Sequence, residues 1–154
     1  MGFFGKIASK CRTAASLRPA DWTALGEAWL ALSAARAAVR LRPLPKLLHD
    51  AAAANAAPAL KPARDPRPDI ERLQRLVRIA ARYRLNPATC LPRALALRGM
   101  LRRRGIPAAL EIGVRKDGER LRAHAWLVYD GRPIGEPEEV AEEFVPLLGP
   151  ERRP

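Results

Sequence analysis

The stretch that decides the fold class reads TCLPRALALRGMLRRRG over residues 89–105 and IPAALEIGVRKDG over residues 106–118. In its first half apolar residues recur at steps of three and four, which predicts a helix from about Cys90 to Arg104 with one buried face. In its second half apolar and polar residues alternate, which predicts a half-buried strand around Ile112. A helix followed by strands of this kind predicts an α+β domain.

Two more strands and a helix are predicted after this strand. The Asp-Gly pair at residues 117–118 is a hairpin-turn sequence, and the alternation resumes from about 121 to 129. A second Asp-Gly pair at 130–131 leads to a short third strand over residues 132–135. Residues 137–148 mix four glutamates with apolar side chains. This mixture predicts an acidic terminal helix that covers the sheet.

The chain before this core is predicted to be helical. Residues 3–17 predict a short helix, and Asp21 is the predicted N-cap of a longer one. In that longer helix the spacing of Trp22 and Trp29 predicts that both lie on one buried face. A short helical segment is expected over residues 46–55.

A proline-rich linker divides the chain into two predicted parts. Residues 56–68 contain four prolines, a composition typical of linkers and extended crossings. A further amphipathic helix follows, from about Asp69 to Tyr83. The predicted domains are a helical region with its linker, residues 1–67, and a core, residues 68–154.

The composition limits the partners and the compartment. The chain of 154 residues carries 28 Lys and Arg against 16 Asp and Glu, a net charge of +12, which favours an acidic or polyanionic partner. Its two cysteines do not make a disulfide framework, so a reducing, cytoplasmic location is expected. Apolar runs fall short of the roughly 20 residues of a membrane span, so no transmembrane segment is expected.

A thiol, an imidazole and a carboxylate form a candidate catalytic set in the core. Cys90 stands at a helix N-terminus, whose N–H groups favour the thiolate and can receive the oxyanion of a tetrahedral intermediate. His124, on the second strand, is the candidate base. An acid behind His124 would hold its orientation. Taken singly, Cys90 is typical of a buried small residue and His124 of a core histidine, but their combination favours catalysis.

The turn at residues 130–131 decides which acid stands behind the histidine. With a three-residue loop, Glu136 lies opposite His124 on the neighbouring strand. With a two-residue loop, Glu136 lies opposite Ala125 and on the other face. We prefer the three-residue loop, which makes Glu136 the acid. Asp130 is the alternative, but roughly 20 Å of strand separate it from His124.

Four blocks of the core resemble one known family. They are CLPRALAL at residues 90–97, RRGIPA at 103–108, IGV at 112–114 and AHAW at 123–126. In this order they resemble the lasso-peptide biosynthesis leader peptidases, which belong to the transglutaminase-like, papain-related cysteine peptidases. The resemblance implies a core in which the catalytic helix packs on an antiparallel sheet.

The same resemblance implies a function and a set of roles. Cys90 matches the family's nucleophile and His124 its base, and Glu136 stands where the family most often has aspartate. Such a peptidase cuts the leader from a ribosomally made precursor peptide before a separate lasso cyclase closes the ring. A small leader-binding protein is the expected partner, and neither a cofactor nor a metal ion is expected.

Two other functions stay open from the residues alone. An acyl transferase of the same fold would pass the acyl group from Cys90 to an amine. A non-catalytic protein would bind an acidic peptide or nucleic acid through its positive charge. The basic residues are not interleaved with aromatic ones, so no nucleic-acid partner is expected. We expect Arg72, Arg75 and Arg78 to form a surface that docks an acidic leader or partner.

Overall fold

The computed structural model describes residues 19–57, 62–83 and 89–148. The predicted helix over residues 3–17 lies outside them. In chain order the elements are helices α1 (Pro19–Leu41), α2 (Leu44–Ala56), α3 (Arg67–Arg82) and α4 (Cys90–Arg102), strands β1 (Ala109–Asp117), β2 (Arg120–Tyr129) and β3 (Arg132–Pro133), helix α5 (Val140–Glu143) and strand β4 (Val145–Leu148). Helices followed by a sheet confirm the α+β class. Among the described helices, none is long and apolar enough to cross a membrane.

Within the described residues the strands form a four-stranded antiparallel sheet in the order β3-β2-β1-β4. β1 and β2 pair without a break down to Asp117 opposite Arg120. The loop between them is therefore Gly118-Glu119, one residue later than predicted. Gly118 has a φ of 62°, and a left-handed first loop residue is typical of the type II′ turn, which suits the twist of paired strands.

The acidic terminal helix predicted over residues 137–148 is wrong. Helix α5 takes up a single turn of this segment, and β4 follows it and pairs with β1. Pro146 explains the difference, because it has no N–H for a helical hydrogen bond, whereas an edge strand tolerates a residue without a donor. The end of the described chain therefore extends the sheet.

Helix α1 buries a different face from the one predicted. Its buried side chains include Ala24, Ala28 and Leu32, whereas Trp22 and Trp29 are 53% and 49% exposed. The predicted burial of the two tryptophans is therefore wrong. Alanine side chains let one helix approach another closely, so the small residues of α1 occupy its contacts with α3 and α4.

Charged side chains join α1 to both of these helices. Asp21 is buried and accepts a hydrogen bond from Arg72 Nε of α3 at 2.5 Å, so it is not the predicted N-cap. Glu27 accepts hydrogen bonds from Arg103 and Arg104, at the end of α4, at 2.8 and 2.7 Å. Arg72 thus pairs with α1 while its side chain stays 35% exposed. The docking surface expected of Arg72, Arg75 and Arg78 stays a prediction.

The face of α4 that carries Cys90 packs on the sheet. Ala94, Leu97 and Leu101 are buried and Cys90 is partly buried beside them, as the spacing predicts. Inward side chains of β1 and β2, among them Ala125, belong to the same core, as do residues of α1, α2 and α3. The core thus includes residues from both sides of position 67. The domain division proposed there stays a prediction.

An asparagine ties α2 to the edge of β1. Asn55 Nδ2 donates to the Leu110 carbonyl oxygen at 2.8 Å, and the Leu110 N–H donates to Asn55 Oδ1 at 3.0 Å. Arg98 Nη2 donates to the same Oδ1 at 2.6 Å. Strand β4 pairs with β1 only from Ile112 onward. The Asn55 amide thus takes the place of a neighbouring strand at Leu110.

Candidate active site

Cys90 is the first residue of α4. Thr89 precedes it in an extended conformation, with φ −68° and ψ 176°. The Arg93 N–H donates to the Thr89 carbonyl oxygen at 3.4 Å. The N–H groups of Cys90 and Leu91 lie in the first turn, where the helix itself offers them no partner. They form the candidate oxyanion site.

A small cavity opens beside Cys90. Its volume is about 80 Å³, and apolar side chains of α3, α4 and β2 form part of its wall. Its other lining residues include Gln74, Arg78, Cys90, Arg93, Trp126 and Glu136. Cys90 is a free, half-buried cysteine. The thiol therefore borders a space that holds both basic and acidic groups.

His124 lies on β2, directly opposite Gly113 of β1. Its imidazole stacks on Trp126, with ring centroids 5.8 Å apart and planes 22° apart. It also contacts the tilted ring of Phe144, at 5.5 Å between centroids. These two aromatic rings limit the rotation of the imidazole and shield part of it from water.

Gly113 makes room for this aromatic group. A Cβ atom on Gly113 would lie 2.6 Å from Phe144 Cβ and 3.1 Å from both Trp126 and the Val145 carbonyl oxygen. No side chain fits in such a space without displacing its neighbours, which is a known reason for glycine within a strand. Gly113 therefore lets Phe144 pack on the same face of the sheet as His124, which lies opposite Gly113 on β2.

The hairpin that leads to Glu136 has a two-residue loop. Tyr129 lies opposite Arg132, and Asp130 and Gly131 have positive φ values of 51° and 76°. These conformations are those of a type I′ turn, for which Asp-Gly is a favoured sequence. The preferred three-residue loop is therefore wrong, since the tighter turn already matches the twist of the two strands.

Glu136 nevertheless reaches His124. Its Oε1 lies 3.3 Å from His124 Nε2, and the two side chains are 33% and 23% exposed. The strand ladder continues as far as Ile134, whose N–H donates to the Leu127 carbonyl oxygen at 2.8 Å. Gly135 then turns the chain with a φ of 68°. Strand alternation no longer applies beyond this turn, so the expectation that a two-residue loop removes Glu136 is also wrong.

A packing contact from α3 supports the bend at Gly135. A Cβ atom on Gly135 would lie 1.3 Å from Gln74 Nε2, so the glutamine amide rests directly against the glycine. The positive φ favours a residue without a side chain, and a Cβ atom would also push the glutamine amide aside. The bend, and not the strand register, brings Glu136 to His124.

Glu136 lies between the two cavities of the site. It lines the cavity of Cys90 and a second cavity, of about 250 Å³, that His124 and Phe144 also line. In the described part of the chain no hydrogen bond joins Cys90 to His124. Because Nε2 of His124 faces Glu136, Nδ1 is the nitrogen left to accept a proton. The roles of nucleophile, base and acid stay predictions for these three residues.

Asp130, the alternative acid, lies away from His124. Its side chain is 68% exposed, and its Oδ2 lies 3.9 Å from Arg67 Nη2. The two-residue turn places Asp130 at the tip of the hairpin. This position excludes Asp130 as the group that orients the imidazole.

The sequence patterns do not predict three side chains of the site. Gln74, Arg93 and Phe144 each lie on a different element from His124, and their periodicity marks them only as ordinary helix or tail residues. The sequence signal that could have indicated these contacts is the pair of glycines at positions 113 and 135. An isolated glycine in a strand pattern indicates close approach of another group, here Phe144 and Gln74.

Comparison with known proteins identifies a family. A family model described as the transglutaminase-like superfamily matches residues 29–149, a range that includes Cys90, His124 and Glu136. No curated protein and no solved structure matches the chain. The matched range also includes α4 and every strand of the described sheet. The chain therefore belongs to the transglutaminase-like superfamily.

Proposed function

We propose that this protein is a cysteine peptidase that removes the leader from a ribosomally synthesised lasso-peptide precursor. Its superfamily includes cysteine peptidases and acyl transferases, and the sequence blocks around Cys90 and His124 resemble the leader peptidases. One observation carries the proposal. Glu136 lies 3.3 Å from His124 Nε2 and also lines the cavity of Cys90. Cys90 lines one cavity, His124 lines a second one, and Glu136 lines both. A thiol, an imidazole and a carboxylate are the groups that acyl transfer through a thioester needs.

The first half of the reaction forms the thioester. His124 Nδ1 takes the proton of the Cys90 thiol, and the sulfur attacks the carbonyl carbon of the last leader residue. The N–H groups of Cys90 and Leu91 receive the oxyanion that forms. His124 then gives its proton to the nitrogen of the first core-peptide residue, and the C–N bond breaks. Glu136 stabilises the imidazolium that exists between these two transfers.

The second half releases the leader. Water gives a proton to His124 and attacks the thioester carbonyl carbon, and the same N–H groups hold the new oxyanion. The C–S bond breaks, the sulfur regains the proton from His124, and the leader leaves with a free carboxyl group. Because the free protein has no hydrogen bond between Cys90 and His124, both halves require the two side chains to close on substrate binding, as is common for catalytic pairs.

The same proposal includes partners and a location. A leader-binding recognition protein would deliver the precursor, and a lasso cyclase would use the new N-terminus of the core peptide. The protein would act in the cytoplasm, where precursor peptides are made. The net charge of +12 favours attraction of an acidic leader or partner.

Cleavage of a precursor tests this function. The substrate is a short precursor peptide encoded beside a lasso cyclase, incubated with and without the leader-binding protein. Mass spectrometry should detect the free leader and core peptide with the unchanged protein and neither product with Cys90→Ala. Cys11→Ser, which changes the other cysteine, is the matched control and should cleave normally. Undiminished cleavage by folded Cys90→Ala overturns the proposal.

Acyl transfer to an amine is the second candidate, because the superfamily includes such transferases. The thioester at Cys90 would then react with an amine in place of water. Product mass separates the two reactions, since hydrolysis gives a leader with a free carboxyl group and transfer gives an amide. An amide as the main product, with ammonium or lysine present, favours the transferase.

A further inference from the structure

Two arginines border the cavity of Cys90 and have no acidic partner among the described residues. Arg78 comes from the exposed side of α3, and Arg93 lies in the first turn of α4. In the part of the chain that the structure describes, neither guanidinium forms an ion pair. Nearby arginines differ, because Arg72 pairs with Asp21.

The hydrogen bonding of Arg93 is incomplete. Its Nε is buried and has no hydrogen-bond partner among the described residues. A buried donor without an acceptor is costly, and native proteins seldom keep one. Arg93 as a whole is only half-buried and lines the cavity, so its guanidinium is placed to pair with an acceptor that enters.

The carboxylate of Glu136 does not neutralise these two charges. Among the described residues that line the cavity, Glu136 is the acidic one, and its Oε1 is 3.3 Å from His124 Nε2. The cavity therefore presents two cations to one anion, and that anion is already engaged. A guanidinium binds a carboxylate through two parallel hydrogen bonds, which makes a carboxylate the fitting ligand.

The size of the cavity sets what it can hold. Its volume of about 80 Å³ is well below the roughly 300–1,000 Å³ of typical small-molecule sites. It therefore suits one short side chain and not a whole ligand. Because Cys90 lines the same cavity, and an extended peptide rises about 3.3 Å per residue, that side chain belongs to a residue within about two positions of the attacked bond.

We propose that Arg78 and Arg93 form a carboxylate subsite that selects substrates with an acidic residue within about two positions of the bond that Cys90 attacks. This selection rests on the proposed peptidase function. The subsite itself rests only on the two arginines and the cavity. The subsite and the selection of acidic substrates can therefore fail separately, and alkylation and peptide cleavage distinguish them.

The charge dependence of Cys90 alkylation tests the subsite without a peptide. The thiolate displaces iodide from iodoacetate or iodoacetamide, so the S–C bond forms as the C–I bond breaks, and only iodoacetate carries a carboxylate. Cys11→Ser leaves Cys90 as the one cysteine of the chain. We expect the iodoacetate-to-iodoacetamide rate ratio to exceed that of N-acetylcysteine amide by about tenfold, the effect of one hydrogen-bonded charge.

Arginine variants in the same background locate the effect. The ratio should fall towards the value of the free thiol in Arg78→Gln/Arg93→Gln and should stay high in Arg75→Gln. Arg75 is the matched control because it is exposed on α3 and does not line the cavity. A ratio equal to that of the free thiol, or one that survives in the double variant, overturns the subsite. Circular dichroism and the single variant Arg78→Gln guard against misfolding.

Peptide cleavage tests the selection. Fluorescence-quenched hexapeptide libraries carry Asp or Asn at one fixed position and random residues elsewhere. We expect Asp to raise kcat/KM about tenfold over Asn at one position, and this preference to disappear in Arg78→Gln/Arg93→Gln. Equal cleavage of Asp and Asn libraries at every position overturns the selection. If neither the hexapeptides nor the precursor with its leader-binding protein is cleaved while the alkylation ratio is high, the peptidase function fails and the subsite stands.

Discussion

Replacing Gly135 with alanine perturbs the bend that carries Glu136 to His124. Gly135 has a φ of 68°, and a residue with a Cβ atom in this left-handed region costs about 1–2 kcal/mol. The new Cβ would also lie 1.3 Å from Gln74 Nε2. The glutamine amide must therefore move, and because it is the end of a flexible side chain, its displacement costs at most a further ~1 kcal/mol.

A second glycine separates these two costs. Gly118 has a φ of 62°, but a Cβ atom there would meet nothing within 4 Å. Gly118→Ala therefore loses about 1–2 kcal/mol from backbone strain alone, and Gly135→Ala should lose up to about 1 kcal/mol more. Urea unfolding followed by circular dichroism measures both. In Gln74→Ala/Gly135→Ala the extra loss should disappear, because the obstructing amide is absent.

The activity of these variants completes the test. Gly135→Ala should lower kcat for precursor cleavage at least fivefold, about 1 kcal/mol of transition-state stabilisation, because Glu136 no longer meets His124. Gly118→Ala should leave kcat unchanged. Equal destabilisation of the two alanine variants, together with full activity of Gly135→Ala, would refute the role of the bend.

Three other substitutions probe the fold around the site. Gly113→Ala should destabilise the protein by about 1–3 kcal/mol in urea unfolding, because its Cβ overlaps Phe144. Asn55→Ala should cost about 1–3 kcal/mol in the same measurement, since it leaves buried backbone groups without partners. The hydrogen bond from Arg104, first, and that from Arg103 lower the pKa of Glu27 below its ordinary 4.5, although burial opposes them. The stability that Glu27 contributes is then fully present above about pH 4.5 and is lost as the pH falls through its lower folded-state pKa. Glu27→Gln should therefore lose less stability than the unchanged protein between pH 5 and 3 when urea midpoints are compared.

Each of these three substitutions can be compared with a control. Gly26→Ala lies within α1, where a Cβ meets nothing within 4 Å, so it should stabilise the protein by about 0.5–1 kcal/mol. A similar gain from Gly113→Ala contradicts the packing described. Ser33→Ala removes an exposed hydrogen bond and should change stability by less than about 0.5 kcal/mol. If Asn55→Ala also loses less than about 0.5 kcal/mol, the role of the Asn55 amide at Leu110 is contradicted. Parallel pH curves for Glu27→Gln and the unchanged protein contradict the pKa shift.

The parts of the fold that repeat over many residues follow from the sequence. The face shared by Cys90, Ala94 and Leu97 and the alternation of β1 and β2 each extend over several side chains, so one misplaced residue does not change the inference. The buried face of α1 does not follow. Its tryptophans outweigh its alanines in hydrophobicity, yet helix packing is decided by how closely two backbones approach, and small residues permit the closer approach.

The end of the described chain shows a different limit. Four glutamates beside apolar residues suit a helix by propensity, and one turn of helix does form. The open edge of β1 then decides the rest, since pairing there satisfies backbone groups that a helix around Pro146 could not. Such an edge is a tertiary feature, and local propensity does not contain it.

Within the site, single residues determine side-chain positions that sequence patterns do not predict. Glu136 is the predicted acid, but the three-residue loop that led to it is wrong. Its actual position depends on the positive φ of Gly135, and a strand pattern treats that glycine as one more step of the ladder. The arginines of the cavity depend on how α3 and α4 pack, which no short-range spacing specifies.

In the proposed mechanism His124, oriented by Glu136, activates the thiol of Cys90. The rate at which iodoacetamide alkylates Cys90 near neutral pH, in the Cys11→Ser background, measures this coupling without a substrate. The rate should fall at least tenfold in His124→Ala, equivalent to about 1.4 kcal/mol, and by a smaller factor in Glu136→Gln. Equal rates in all three proteins would show that the thiol acts independently of the histidine and would contradict the catalytic unit.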